Sequence, residues 1–198
     1  MKRSWVLSLF LGIVCFAGTS LLAQSNNNDH IEVGIFADYF NLARPTPHIN
    51  FVGLGGRAAF NVRSNVQIEA EMAYDFRRNF TTTTSNGVST QFVSVGLRPL
   101  HALFGPKFET SGGPVRLFGT FKAGLINFSA SNESPGSGFQ SGLSDITTGN
   151  TSAAIYPGLG VEGFAGWLGL RLDAGDAIYF KDGTHNNLRI TFGPTIRF

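Results

Sequence analysis

Strict alternation of apolar and polar residues is the feature that most constrains the fold of this chain. It is clearest in residues 66–76 and in residues 188–198, where every second side chain is apolar or small. In the second segment the apolar set is Leu188, Ile190, Phe192, Pro194, Ile196 and Phe198. A period of two places these side chains on one face of a β-strand, whereas a helix needs a period of about 3.6. The pattern therefore predicts an all-β protein whose strands each have one apolar face.

The same alternation recurs along the chain between turn-forming sequences. Arg63-Ser64-Asn65 is predicted to be a three-residue turn, and residues 129–150 the longest loop. After Pro99 the apolar residues change phase, which predicts a β-bulge there because proline removes a ladder donor. We predict eight strands, at residues 31–39, 49–62, 66–76, 88–109, 115–128 and 151–163, from residue 167, and after Asp182-Gly183.

The first residues of the chain have the composition of a secretory signal peptide. Two basic residues precede an apolar run over residues 5–17, and small residues then lead to a predicted cleavage site after Ala23. A retained membrane anchor is the alternative, but the run is shorter than the roughly 20 residues that a spanning helix needs. We therefore divide the chain into a signal peptide, residues 1–23, and one barrel domain, residues 24–198.

Charge and cysteine content exclude several classes of function. Cys15 is the only cysteine and lies in the signal segment, so the mature chain has no disulfide and no thiol chemistry. Without Lys2 and Arg3, the 15 basic residues fall to the number of acidic residues, 13. The basic residues form no cluster of the kind that nucleic acid requires. No apolar run of helix-spanning length follows the signal, so residence in a membrane must be through strands.

Residues that could support catalysis are scattered. The four histidines, His30, His48, His101 and His185, lie far apart, and none is placed near a serine in a pattern that predicts a base and a nucleophile. We therefore expect no enzymatic activity, no cofactor and no metal site.

Two kinds of barrel are compatible with the alternation. A soluble, lipocalin-like secreted barrel would turn its apolar faces inward and bind an apolar ligand, whereas a membrane barrel turns them outward. The polar faces are sparse in charge, mixed in sign and rich in glycine, which favours a narrow, filled lumen. Aromatic residues near the strand ends are expected to form interfacial girdles; they are Tyr39, Tyr74 and Tyr179 at one end, and Phe60, Phe164 and Trp167 at the other. The predicted fold is an eight-stranded antiparallel transmembrane up-and-down β-barrel after a cleaved signal peptide.

Charged residues on the polar faces are predicted to fill the lumen. They are Arg57, Glu69, Glu71, Lys122, Arg171, Asp173 and Arg189. A three-residue turn after the second strand pairs Val62 with Val66, and that register places Arg57 directly opposite Glu71. Eight strands leave room only for side chains or one small ligand, and buried charges need partners. Two interpretations stay open: a salt-bridge network that plugs the lumen, and a narrow, gated path for ions or small solutes.

A family resemblance rests on the eight strands, the terminal Phe198 and two segments, Leu103-Phe104-Gly105-Pro106-Lys107 and Leu170-Arg171-Leu172-Asp173-Ala174-Gly175-Asp176. With these features the chain resembles the small OmpA-like and opacity-type outer-membrane β-barrel proteins. The resemblance implies a monomer surrounded by lipid in the outer membrane of a Gram-negative-type bacterium. It also implies that Phe192, Ile196 and Phe198 form the signal that the barrel assembly machinery reads.

The functions that the resemblance implies are structural, adhesive or those of a narrow pore. An adhesive role would place the contacts with host or cell-surface ligands in the loop 129–150. A wall-tethering role is not implied, because the chain has no room for a peptidoglycan-binding domain after the barrel.

Overall fold

The alternating segments form strands whose long-range pairing closes a barrel. The computed structural model describes residues 30–43, 48–85, 90–110, 113–131 and 151–198. The predicted signal peptide, residues 1–23, lies outside the described residues, and so does most of the predicted loop, since the sixth strand segment runs to Ser131. Within the described residues, no helix is long and apolar enough to cross a membrane.

Eleven strand segments in the described residues form eight barrel strands. β3 and β4 both pair with β5, so together they form one interrupted barrel strand. β8 and β9 both pair with β7 and form a second interrupted strand. β10 pairs with β9 and β11 pairs with β8, so β10 and β11 form a third interrupted strand. The segments are β1 (Ile31–Leu42), β2 (Ile49–Arg63), β3 (Val66–Asp75), β4 (Arg78–Ser85), β5 (Thr90–Glu109), β6 (Val115–Ser131), β7 (Thr151–Ala165), β8 (Leu168–Asp176), β9 (Ile178–Phe180), β10 (Thr184–His185) and β11 (Leu188–Arg197). Every pairing is antiparallel, and β11 pairs with β1 to close the barrel. The predicted eight-stranded barrel is confirmed.

The first and last described residues meet at one end of the barrel, here called the terminal end. The backbone N–H of His30 donates to the carbonyl of Phe198 at 2.7 Å. The short connections at residues 64–65, 110–114 and 166–167 also lie at this end. The opposite end, here called the loop end, is where the strands flanking residues 132–150 finish. Short turns at one end and longer connections at the other are typical of outer-membrane barrels.

The turn after β2 is one residue shorter than predicted. Only Ser64 and Asn65 lie between β2 and β3, and Arg63 rather than Val62 pairs with Val66. A bulge just before Arg63 takes up the extra residue on β2, so the predicted register is kept farther along the hairpin.

Pro99 does not carry the predicted bulge. β5 keeps one register with β6 from Gly96 to Glu109, and the irregularity lies in the facing barrel strand, where residues 76–77 separate β3 from β4. The apolar residues of β5 change phase because Leu97 points into the lumen, where its surroundings are apolar. The sequence pattern changes phase while the strand continues without interruption.

Apolar and charged side chains lie on opposite sides of the barrel wall. Large apolar side chains point outward, among them Leu159, which is 74% exposed, and Ile35, which is 67% exposed. Charged side chains such as Lys107, Lys122 and Arg189 point inward and are fully buried. The soluble, lipocalin-like alternative needs the reverse arrangement and is therefore wrong.

Candidate functional site in the barrel lumen

The lumen near the terminal end is filled by one lysine surrounded by carboxylates. Lys107 Nζ lies 2.7 Å from Glu162, 3.3 Å from Glu32 and 3.4 Å from Glu109. Glu109 also accepts a bond from Arg116 at 2.9 Å. We call these five residues the terminal layer. Every second residue of β1, β5, β6 and β7 points inward, which brings these groups from four strands to one level.

A denser network fills the middle of the barrel. We call it the central layer, and it consists of Arg57, Glu69, Glu71, Lys122, Arg171, Asp173 and Arg189. Arg171 binds Glu69 through two nitrogens and also contacts Asp173 at 3.1 Å. Lys122 lies between the carboxylates of Glu69 and Glu71. Its ammonium therefore separates two acidic groups that lie on the same face of β3.

Most of the remaining bonds of the central layer cross the lumen. Arg57 donates to Asp173 at 3.0 Å and to the hydroxyl of Thr191 at 2.8 Å. Arg189 donates to Glu71 at 2.5 Å and, through Nε, to both carboxylate oxygens of Asp38 at 3.0 Å. Arg189 and Asp38 lie on the neighbouring strands β11 and β1. The other three contacts join strands that are not neighbours in the barrel wall, so the network braces the closed barrel from inside.

Aromatic rings cover the cations of both layers. The guanidinium of Arg171 lies 4.1 Å from the ring centre of Phe118, and that of Arg57 lies 4.2 Å from the ring centre of Phe36. The hydroxyl of Tyr156 donates to Asp173 at 2.8 Å. Rings at these distances attract cations and exclude water, which strengthens the neighbouring ion pairs.

The loop-end half of the lumen is apolar. Phe40 and Phe51 stack with ring centres 6.2 Å apart, and Phe128 meets Tyr179 edge-on at 5.4 Å. We call the cluster the apolar cap, and its members are Phe40, Leu42, Ile49, Phe51, Leu97, Leu103, Ile126, Phe128, Ala154, Tyr156, Ala177 and Tyr179. The lumen is thus closed twice, by paired charges and then by packed apolar side chains.

All seven charged residues that the sequence assigned to the lumen point inward and are buried. Arg57 and Glu71 are register partners, as the hairpin geometry predicted. Their side chains nevertheless bind other strands, because each reaches an opposite charge across the lumen.

Nine further charged or ionisable residues of the described lumen were not included in the predicted network. They are Glu32, Asp38, Asp75, His101, Lys107, Glu109, Arg116, Glu162 and Arg197. The alternation in the sequence already placed each on a polar face, so the available signal was the phase of each strand. The apolar cap was missed altogether, because alternation alone assigns an apolar side chain to the lipid.

The predicted aromatic girdles are partly wrong. Tyr74, Phe60 and Trp167 are exposed on the outer surface, and Tyr39 is half-buried there, where its hydroxyl donates to Asn50 at 3.1 Å. Tyr179 was predicted to be interfacial but is 1% exposed, because its position in β9 points inward into the apolar cap.

Phe164 is also buried inside the barrel, where Arg197 lies over its ring at 4.4 Å. Its prediction as an interfacial residue is wrong because it occupies an inward position of β7. The residues of the predicted assembly signal, Phe192, Ile196 and Phe198, lie on the outward face of the closing strand.

Comparison with known proteins identifies the fold. No family model matches the chain, and no curated protein matches it. Among solved structures, it is similar to the attachment invasion locus protein Ail of Yersinia pestis in complex with a heparin analogue, at 15% identity and a TM-score of 0.51, covering 86% of this chain and 97% of Ail. It is also similar to Neisserial surface protein A, at 11% identity and a TM-score of 0.53, covering 85% of this chain and 97% of that protein. The chain therefore has the fold of the small eight-stranded outer-membrane β-barrels.

Proposed function

We propose that this protein is an integral outer-membrane barrel that acts at the cell surface while its lumen stays closed. The observation that carries the proposal is the distribution of side chains across the barrel wall, with large apolar side chains outside and charged side chains inside. This is the reverse of the distribution in a water-soluble protein. Exposing such an apolar outer surface to water is unfavourable, whereas the hydrocarbon of a bilayer accommodates it. Under this proposal the chain is exported by its signal peptide, inserted by the barrel assembly machinery and monomeric.

A gel mobility comparison tests the membrane part of the proposal. The protein, purified in detergent without its signal peptide, is run unheated and after boiling. A closed barrel that resists the detergent should migrate differently until boiling unfolds it. A protein that shows no shift and dissolves in buffer without detergent would contradict the proposal.

The surface role is supported by the closed lumen and by the positions of the connections. The charged layers and the apolar cap fill the interior, so contacts with other molecules must be made at the loop end. Residues 132–150 join β6 to β7 there and form the longest connection in the chain. Ail, which shares the fold, is described as an attachment protein and was solved with a heparin analogue. We therefore propose binding of host or cell-surface ligands through this connection, without a catalytic step.

Loop replacement tests the surface role. Residues 133–149 are replaced by a short Asn-Gly turn, and a matched variant keeps the length and composition of the segment but scrambles its order. Binding of cells expressing each variant to host cells and to immobilised heparin is then measured. Both variants should keep the gel shift of a folded barrel and lose binding. Retained binding in both would contradict a role for this connection.

A narrow pore is the second candidate function. Several buried polar atoms near the terminal end have no hydrogen-bond partner among the described residues, namely both polar atoms of the Gln67 side chain and one oxygen each of Glu32 and Glu162. Such atoms require water, so this half of the lumen can be hydrated. Current steps across a planar bilayer that persist after the loop replacement would establish a pore, whereas a silent wild-type barrel would support the closed state.

A further inference from the structure

Three potential metal ligands meet where the central layer ends and the apolar cap begins. They are Asp38 of β1, Asp75 at the end of β3 and His101 of β5, and all three are buried. One ligand atom from each lies within 4.8 Å of the corresponding atoms of the other two. The site lies outside the predicted lumen network, and no interpretation of the sequence assigned it a role.

The barrel wall itself positions the two aspartates. Gly53 pairs with Asp38 on one side and with Asp75 on the other, so the three residues form one row across β1, β2 and β3. A Cβ at Gly53 would overlap Oδ1 of Asp75. The absence of a side chain at Gly53 thus leaves the space into which this oxygen projects, between the two strands that carry the carboxylates.

The carboxyl group of Asp75 is incompletely hydrogen-bonded. Its Oδ2 lies 3.2 Å from Nε2 of His101, while its Oδ1 is buried without a hydrogen-bond partner among the described residues. A carboxylate oxygen that is buried without a partner has lost its hydration without gaining a bond in exchange. This oxygen is therefore available to a ligand.

A second acidic cluster shows what a compensated site looks like in this barrel. Glu32, Glu109 and Glu162 also gather within the same distance limit. There the ammonium of Lys107 occupies the centre and contacts all three carboxylates. At the other cluster, Arg189 binds Asp38 but neither Asp75 nor His101, and among the described residues no lysine or arginine forms a salt bridge with Asp75.

We propose that Asp38, Asp75 and His101 bind one divalent transition-metal cation of the Zn²⁺ class. Zinc binds imidazole nitrogen and carboxylate oxygen at about 2.0–2.2 Å, and three protein ligands leave one coordination position for water. The ring of Phe40 packs edge-on against His101 at 4.7 Å and holds the imidazole in place. Arg189 is a neighbour that orients the Asp38 carboxylate. This proposal does not depend on the proposed surface function.

Refolding with metal tests the proposal, because the filled lumen would slow entry into the folded barrel. Untagged protein is refolded into detergent with excess Zn²⁺, passed over a desalting column in a weak chelator, and its zinc content is measured by mass spectrometry of the element. We expect close to one zinc per wild-type barrel. Asp75→Asn and His101→Gln should each weaken binding at least as much as the roughly 10- to 100-fold loss that outer-shell changes cause.

His30→Gln is the matched control, since His30 is exposed at the terminal end, far from the cluster. It should bind zinc like the wild type. Refolding with Co²⁺ adds a spectroscopic readout, because cobalt in a low-coordinate nitrogen and oxygen site gives visible absorption that should be lost in His101→Gln. A wild-type barrel that folds by gel shift but retains no metal would overturn the proposal, as would the zinc content of the wild type in both Asp75→Asn and His101→Gln.

Discussion

Arg57 and Glu71 lie directly opposite each other in β2 and β3, yet each side chain binds partners on other strands. Arg57 reaches Asp173 of β8, and Glu71 accepts bonds from Lys122 of β6 and Arg189 of β11. A pair across one hairpin would need only the turn to form, whereas these pairs need a closed barrel. The charged interior therefore stabilises closure, and a defect in it should affect the whole barrel.

Replacing Lys122 should test that dependence most directly. Lys122→Met removes the ammonium between Glu69 and Glu71 and leaves two buried carboxylates close together. Breaking a buried pair in this way costs about 3–5 kcal/mol. The free energy of unfolding in lipid vesicles, followed by fluorescence of Trp167, should fall by that amount. The control Arg63→Met alters an exposed side chain and should change it by less than about 0.5 kcal/mol.

Conductance measurements should distinguish the two barriers that close the lumen, the central layer and the apolar cap. Arg57→Ala with Glu71→Ala opens the central layer, but Phe40 and Phe51 of the apolar cap still block the path. The double variant should therefore remain silent in planar bilayers. Adding Phe40→Ala and Phe51→Ala should produce current steps, provided that the gel shift shows a folded barrel. Steps from the double variant alone would show that the cap does not seal the lumen.

The wall of the barrel was predictable from sequence because the side-chain period of a strand is fixed. The inward positions of Glu69, Glu71 and Asp173 follow from alternation alone, and the register of Arg57 follows from hairpin geometry. The partner that each charge selects across the lumen depends on strand tilt and stagger, which local sequence does not encode.

The apolar cap was not predicted from the sequence, for a different physical reason. An alternating pattern specifies two faces but not which medium each one meets, and inside the loop-end half the lumen is as apolar as lipid. The phase change after Pro99 was therefore interpreted as a bulge, and Tyr179 was assigned to an interfacial girdle, although Leu97 and Tyr179 are both buried in the cap.

Gly193 in β11 and Gly56 in β2 should be unequal in their tolerance of a methyl group. Gly193 points inward, and a Cβ there would overlap the carbonyl oxygen of Ile35 in β1. Gly193→Ala should therefore destabilise the barrel by about 1–3 kcal/mol, as overpacking does. At Gly56 the nearest atom to an added Cβ lies 3.9 Å away, so Gly56→Ala should be neutral or slightly stabilising. Equal denaturation midpoints for the two variants would contradict the close strand approach.

The outer wall should respond to charge as a lipid-facing surface does. Leu159 lies near the middle of β7 and is 74% exposed. In a water-soluble protein, Leu159→Arg would change stability little, whereas at the bilayer midplane an arginine costs about 2–4 kcal/mol. The matched variant Val62→Arg introduces the same charge near the terminal end of β2, where the cost falls to about 0–1 kcal/mol. Unfolding free energies in vesicles should show this difference, and similar values for both variants would place the outer wall in water.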